Sequence, residues 1–137
     1  MRYEASRRRG LDKERDLARK LWGMGFASMR APASGARAKH IVQPDVIAAI
    51  DGAIFAFEVK VRSELPLYIE REQVEKLSEW ARRAGARAFV AVYYSRAWRL
   101  VPLEAVSCAE RTCRVGEEEL SRALKLEDLR GLKASSR

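Results

Sequence analysis

The apolar residues of the first segment recur at helical spacing: they are Leu11, Leu17, Ala18, Leu21 and Trp22. This spacing predicts a helix over residues 6–24, and Gly25 follows it where a glycine often ends a helix. Residues 26–31 then predict a short strand, and residues 31–40 have the small and polar composition of a loop. The chain therefore opens with a helix, a strand and a loop.

The middle of the chain has the pattern of a β-hairpin. Residues 45–50 and 53–61 are two apolar segments, and Asp51-Gly52 between them is a strong signal for a two-residue turn. The second segment is apolar at nearly every position, which is typical of a strand that is buried on both faces. We therefore expect this strand to lie in the centre of its sheet.

The remaining elements complete an α/β pattern. They are a helix over 69–84, strands over 88–94 and 98–101, and short helical pieces over 103–107 and 126–132. Pro66 breaks the chain before the helix, and Gly85 ends the helix. The order α-β-β-β-α-β-β predicts a central mixed five-stranded sheet flanked by helices. We expect a single domain over 1–137, with a basic N-terminal arm at 1–9 and a frayed tail at 133–137.

Composition narrows the class of protein. The chain has 137 residues, of which 47% are hydrophobic and 34% charged, and this is a globular composition. No apolar run approaches the roughly 20 residues that span a membrane, and no apolar segment follows the basic N-terminus as in a secretion signal. We therefore expect a cytoplasmic protein. The net charge of +8 favours a polyanionic partner, nucleic acid first, although an anionic membrane surface would also attract it.

The sequence argues against a zinc site. His40 is the only histidine, and the two cysteines, Cys108 and Cys113, form no CxxC pair. We favour two reduced thiols, while a disulfide stays open if the fold brings the two cysteines together.

Four charged residues stand in or beside segments that should be buried: Glu14, Asp45, Glu58 and Lys60. Glu14 lies on or next to the apolar stripe of the first helix, so it needs a partner if it is buried, or else it lies half exposed at the edge of the stripe. Glu58 and Lys60 are two residues apart and share one face of their strand. A solvated ion pair would explain them, and a strand boundary would explain Asp45, but the apolar neighbours of Glu58 indicate a buried strand.

The predicted hairpin brings two of these carboxylates together. Asp45 lies six residues before Asp51, and Glu58 lies six residues after Gly52, so they meet at the open end of the hairpin, subject to register. Two adjacent carboxylates repel unless a cation lies between them, and Mg²⁺ or Mn²⁺ suits oxygen ligands. Lys60 beside such an ion could orient an attacking water or stabilise developing charge. This composition fits metal-assisted phosphodiester hydrolysis.

The same residues carry a resemblance to known nucleases. Pro44-Asp45, twelve intervening residues and Glu58-Val59-Lys60 resemble the PD-(D/E)xK motif of restriction-endonuclease-like enzymes. The segments GLDKERDLARKLWGMGFASMRAPASG, PDVIAA, FAFEVKVR, LYIEREQVEKLSEWARRAG and AFVAVYYSRAWRL resemble the archaeal Holliday junction resolvases of the Hjc and Hje type. This resemblance covers roughly residues 10–100 and implies a restriction-endonuclease-like core.

The resemblance also implies roles for individual residues. The catalytic residues that it implies are Glu14, Asp45, Glu58, Lys60 and Ser34, and the ligands of Mg²⁺, for which Mn²⁺ can substitute, are Glu14, Asp45, Glu58 and the backbone carbonyl of Val59. Gln73 occupies a position where related nucleases often carry a glutamine near the site. Two positions depart from the family, which can carry an aromatic residue at Ala84 and a basic residue at Tyr93; the first leaves a dimer contact open and the second a DNA contact.

The implied function is a structure-selective DNA endonuclease that resolves four-way junctions in recombination and repair, at the nucleoid. Paired cuts need two sites, which a two-fold homodimer supplies. The expected interface is the second helix through Val74, Leu77 and Trp80, although helical periodicity equally allows these residues to cover the sheet. Contacts to DNA should be mostly with phosphates. The expected DNA-binding residues are Arg7, Arg8, Arg9, Arg15, Arg30, Arg37, Lys39 and Arg62.

Two other functions stay open at this level. A nuclease with the same motif could act on flaps, nicks or plain duplex, and cleavage of a junction compared with its duplex arms separates these cases. A basic DNA-binding module without catalysis is the other alternative, and metal-dependent cutting decides against it. The sequence identifies no protein partner, resolvase subtype or cut position.

Overall fold

Two sheets and three α-helices make up the part of the chain that the structure describes. The computed structural model describes residues 2–31 and 43–132, with side chains from residue 8 onward. The elements, in chain order, are α1 (Arg2–Gly23), β1 (Ala27–Arg30), β2 (Val46–Ile50), β3 (Ala53–Val61), β4 (Leu67–Glu70), α2 (Arg71–Ala84), β5 (Ala86–Tyr94), β6 (Ala97–Pro102), β7 (Ser107–Cys108), β8 (Thr112–Val115) and α3 (Glu117–Leu120). Two short 3-10 helices, Leu103–Ala105 and Leu126–Leu132, lie in the C-terminal part.

The central sheet has five strands in the order β1-β2-β3-β5-β6, which confirms the predicted mixed sheet. Strands β3 and β5 are parallel, whereas the other neighbouring pairs are antiparallel. The predicted hairpin turn is also present, because Asp51 and Gly52 adopt positive φ angles of 50° and 87°. Helix α2 lies between β3 and β5 in the chain and provides the crossover that a parallel pair requires.

One face of the sheet packs against α1. Leu17 and Leu21 are fully buried there together with the rings of Phe55, Phe57 and Phe89. The Phe57 and Phe89 rings stack with their centroids 5.8 Å apart. Truncating a buried phenylalanine to alanine costs about 3–5 kcal/mol, so this cluster fixes α1 on the sheet.

The N-terminal helix differs from its prediction in two respects. It begins at Arg2 rather than at residue 6, so the backbone at Arg7, Arg8 and Arg9 is helical. Trp22, which helical spacing places in the apolar stripe, is 67% exposed. The stripe that faces the sheet therefore ends at Leu21, which is fully buried.

A second sheet covers the other face, and the sequence pattern does not predict it. Strands β4, β8 and β7 form a three-stranded antiparallel sheet. Leu67 and Ile69 of β4 pack with Val90 and Val92 of β5. The prediction that the helix begins at residue 69 was wrong, because Leu67 and Ile69 are buried alternately with exposed neighbours in an extended strand.

The two cysteines form a disulfide, so the favoured expectation of reduced thiols was wrong. Cys108 and Cys113 are partners across the antiparallel β7–β8 pair, and their sulfur atoms are bonded at 2.00 Å. The reason is the unpredicted hairpin, which places residues five apart in sequence opposite each other.

Some expectations concern residues that the structure does not describe. Ser34, Arg37, Lys39 and the predicted tail at 133–137 lie outside the described residues. In the described part of the chain, no helix is both long and apolar enough to span a membrane.

Candidate functional site

Asp45 and Glu58 lie next to each other at the open end of the β2–β3 hairpin. Val46 is the register partner of Phe57, so the residues before and after this pair are Asp45 and Glu58. The Asp45 amide donates a hydrogen bond of 2.9 Å to the Phe57 carbonyl, and its own carbonyl accepts one of 3.0 Å from Ala31. The backbone of Asp45 is thus fixed by the strands on both sides of it.

The Asp45 side chain is oriented by the neighbouring strand. Its Oδ2 atom accepts a hydrogen bond of 2.8 Å from the backbone amide of Val59. Because a backbone amide is a rigid donor, this bond holds the carboxylate against β3, one residue from Glu58.

Glu58 and Lys60 share the face of β3 that is turned toward α2. Their side chains are only 12% and 19% exposed, and Lys60 Nζ is 3.8 Å from Glu58 Oε2. Gln73, in the first turns of α2, donates a hydrogen bond of 2.6 Å from Nε2 to the same oxygen. Glu58 is therefore held from two directions, by a neighbour on its own strand and by the crossover helix.

Glu14 reaches the same region from α1. Arg30, the last residue of β1, donates from Nε to Glu14 Oε1 at 3.4 Å, and the two side chains are 26% and 17% exposed. Ser28 of β1 also faces α1, since its hydroxyl donates to the Ala18 carbonyl at 2.6 Å. Glu14 is thus partly buried, and Arg30 supplies the cationic partner that burial requires.

The three carboxylates all have raised pKa values. Burial, followed by repulsion from Asp45, raises the pKa of Glu58 to about 8, although Lys60 opposes this shift. Burial and then Asp45 also raise the pKa of Glu14. The pKa of Asp45 is raised by burial against the opposing hydrogen bond from Val59. This region is short of positive charge, which is the condition that a bound cation relieves.

The residues fit a hard divalent cation in their chemistry. All three acidic groups offer oxygen ligands, which Mg²⁺ and Mn²⁺ prefer. Within residues 2–31 and 43–132, however, no three acidic, histidine or cysteine side chains are already arranged as a metal cluster. The oxygens are instead engaged by protein donors, namely the Val59 amide, Gln73, Lys60 and Arg30.

The other predicted residues lie around this centre with varied exposure. Arg15 is exposed and pairs with Asp12 at 3.2 Å, and Arg62 is exposed and donates to the Val61 carbonyl at 2.9 Å. The side chains of Arg8 and Arg9 are exposed on α1. On α2, Leu77 is only 3% exposed, whereas Val74 and Trp80 are partly exposed.

Comparison with known proteins decides the family. The family model described as archaeal Holliday junction resolvase (Hjc) matches residues 5–137. The chain belongs to this family. The relatives that this chain matches include proteins named crossover junction endodeoxyribonuclease Hjc. The relative from Archaeoglobus fulgidus is 36% identical over 90% of each chain, and that from Sulfurisphaera tokodaii is 35% identical over 91% of this chain and 88% of its own.

A solved Hjc structure shares the fold. The structure of Archaeoglobus fulgidus Hjc, described as a Holliday junction resolvase from an archaeal hyperthermophile, superposes with a TM-score of 0.81 at 35% identity. The match covers 90% of this chain and 96% of the other. The mixed five-stranded sheet flanked by helices is thus the Hjc fold, consistent with the restriction-endonuclease-like core.

Two contacts between α1 and the β5–β6 hairpin were not predicted from the sequence. Trp98 of β6 donates a hydrogen bond of 3.0 Å from Nε1 to Asp16 of α1. Lys13, also on α1, places its Nζ 3.7 Å from the centroid of the Tyr93 ring. Neither pair has a signal in the sequence, because α1 and the β5–β6 hairpin are far apart in the chain.

Proposed function

We propose that this chain is a metal-dependent endonuclease that resolves four-way DNA junctions by paired cuts. The observation that carries the proposal is the convergence of Glu14, Asp45, Glu58 and Lys60 at one end of the β2–β3 hairpin. The chain is a member of a family whose curated relatives are named crossover junction endodeoxyribonucleases. An enzyme with this substrate acts on chromosomal DNA, at the nucleoid.

The proposed metal site uses oxygen atoms only. Asp45, Glu58 and the backbone carbonyl of Val59 would hold Mg²⁺, with Glu14 supporting it, and Mn²⁺ would substitute. A bound divalent ion supplies an activated water and neutralises charge on the scissile phosphate. The support for this assignment is the raised pKa of all three carboxylates, since burial, together with repulsion from Asp45 at Glu14 and Glu58, disfavours their charged forms.

The surrounding protein groups orient these carboxylates. The Val59 amide fixes Asp45, while the side-chain amide of Gln73 fixes Glu58. Removing groups that hold metal ligands in this way typically changes metal affinity or activity about 10–100-fold. Lys60, with its Nζ 3.8 Å from Glu58, is placed to orient the attacking water or to stabilise charge in the transition state.

The proposed contact with DNA is mainly through phosphates. The net charge of +8 and the exposed arginines of α1 favour backbone contacts, which carry shape rather than sequence information. Arg15 and Arg62 flank the carboxylate centre in sequence and are exposed. Arg30 is instead paired with Glu14, so its contribution is to position that glutamate.

A homodimer is proposed because two strands must be cut. Met29 is 53% exposed and pairs with Ile47, which pairs in turn with Ala56, so the three side chains share the α2 side of the sheet. This apolar surface lies at the sheet edge, and Trp80 of α2 is also partly exposed. A second copy that covers both would place two sites in one two-fold assembly. Leu77 is buried within its own chain and would contribute little to such a contact.

The test compares one four-way junction with the duplexes of its arms. The wild-type protein is incubated with each labelled substrate in Mg²⁺ and in EDTA. The proposal expects symmetric paired cuts in the junction that require Mg²⁺, with little cutting of the duplexes. Equal cutting of duplex and junction would replace junction resolution by general nuclease activity. Tight binding without cutting in either Mg²⁺ or Mn²⁺ would leave a DNA-binding module without catalysis.

A further inference from the structure

A basic groove lies beside the proposed nuclease centre, at the edge strand β6. It has a volume of about 670 Å³ and runs between α1, the β5–β6 hairpin and the segment at 120–127. Its basic lining residues are Lys13, Lys20, Arg96, Arg99 and Lys125, and its acidic ones are Asp16 and Glu127. The excess of positive charge marks the groove as a site for an anionic ligand.

Most of these cations have no carboxylate to neutralise them. Lys20 pairs with Asp16 at 3.7 Å, but Asp16 also accepts the hydrogen bond from Trp98. Lys13, Arg96 and Lys125 form no ion pair with any carboxylate in the described part of the chain. On α2 the situation is the opposite, since its exposed bases are compensated by glutamates within the helix.

Two of the cations are held by aromatic rings instead. Lys13 Nζ lies 3.7 Å from the Tyr93 centroid, and the guanidinium carbon of Arg99 lies 5.7 Å from the Tyr94 centroid. A ring orients a cation without cancelling its charge, so both charges remain available to an anion. The Nε atom of Arg99 is buried and has no hydrogen-bond partner among the described residues.

The groove adjoins the nuclease centre through the parallel strands. Lys60 is the register partner of Val92, and Val61 is the partner of Tyr93, at the carboxyl end of β3 and β5. The Arg62 amide donates to the Tyr93 carbonyl at 3.1 Å, which ties this end of β3 to the edge of the groove. Lys13 also precedes Glu14 on α1. A chain of phosphates that passes the carboxylates can therefore continue into the groove.

We propose that this groove binds the sugar–phosphate backbone of the DNA that flanks the cleavage point. The inference rests on the proposed function for the identity of the substrate, but it adds a second binding surface outside the carboxylate centre. The competing occupant would be an acidic protein segment. In that case, substitutions in the groove would leave DNA binding unchanged in the test below.

The test measures binding of a four-way junction in EDTA, where no cutting occurs, over a series of salt concentrations. The groove variant is Lys20→Gln, Arg96→Asn and Lys125→Gln; asparagine suits position 96 because Arg96 has a φ of 62°. The matched control removes the same charge from α2 through Lys76→Gln, Arg82→Gln and Arg83→Gln. A charge-preserving groove variant, Lys20→Arg, Arg96→Lys and Lys125→Arg, separates loss of charge from loss of structure.

The groove variant should bind about tenfold or more weakly, and its log–log salt slope should fall by about 0.9 for each phosphate that the protein no longer neutralises. The control and the charge-preserving variant should keep the wild-type slope. Equal slopes for the groove variant and the control would overturn the proposal. A wild-type protein that cuts no junction, together with a reduced slope in the groove variant, would reject the proposed function and still support the groove.

Discussion

The side-chain amide of Gln73 donates a hydrogen bond of 2.6 Å to Glu58 Oε2, which joins the crossover helix α2 to the central strand β3. Glu58 is 12% exposed, and burial, followed by repulsion from Asp45, raises its pKa. Gln73 is neutral, so it orients the Glu58 carboxylate without taking the place of a bound cation. The arrangement therefore leads to a quantitative expectation for Gln73.

Gln73→Ala should raise the Mg²⁺ concentration that gives half-maximal junction cleavage by about 10–100-fold, because Glu58 loses the donor that orients it. The measurement is the cleavage rate over a series of Mg²⁺ concentrations. Glu72→Ala is a suitable control, since Glu72 is exposed on the same helix turn and pairs with Lys76. An unchanged Mg²⁺ midpoint in Gln73→Ala would show that this hydrogen bond has no role in metal binding.

Glu58→Gln should abolish cleavage and stabilise the metal-free protein. The pKa of Glu58 is raised from 4.5 to about 8, so between these values the folded state binds more protons than the unfolded state. The contribution of Glu58 to the free energy of unfolding therefore falls as the pH rises through this window, and it is greatest below pH 4.5. In denaturant titrations in EDTA at several pH values, the free energy of unfolding of Glu58→Gln should fall less steeply with pH than that of the wild type. If the free energies of unfolding of the two proteins changed in parallel with pH, the raised pKa of Glu58 would be contradicted.

Trp80→Glu should convert a dimer into a monomer if α2 and the exposed sheet edge form the interface. A charge introduced into an apolar contact between copies is costly to bury. Sedimentation or light scattering gives the oligomeric state, and a thermal melt gives the stability of the chain. If the tryptophan only covers its own sheet, the melting temperature falls and the oligomeric state stays unchanged.

Reduction of the Cys108–Cys113 disulfide should lower the free energy of unfolding by up to about 2 kcal/mol, because the closed loop is short. The measurement is a denaturant titration with and without a thiol reductant. The double variant Cys108→Ala, Cys113→Ala is the control and should not respond to the reductant. A wild-type curve that the reductant leaves unchanged would show that the bridge does not stabilise the fold.

Much of the central sheet could be predicted from the sequence because its signals are local. Asp51 and Gly52 form the hairpin turn, and this turn brings Asp45 and Glu58 close together. The apolar run of β3 likewise indicated its central place. These features depend on residues near one another in the chain, so hydrophobic period and turn chemistry are sufficient.

The features that the sequence did not predict depend on contacts between distant segments. Strand β4 ends at Glu70, directly before α2 begins at Arg71, and its four-residue alternation is too short to distinguish from the start of the helix. The alternation of buried Cys113 and Val115 in β8 was an available signal, but its partner strand β7 has two residues. The contact of Lys13 with Tyr93 joins α1 to β5 and has no local signature.

The central claim is that Asp45 serves chemistry rather than folding. The decisive measurement uses a labelled immobile four-way junction with wild-type protein and Asp45→Asn, scoring both binding and cleavage. Asparagine keeps an oxygen acceptor for the Val59 amide, so the variant should fold and bind the junction. The account predicts paired Mg²⁺-dependent cuts by the wild type and none by the variant. Cleavage by Asp45→Asn at the wild-type rate would contradict the proposed nuclease centre.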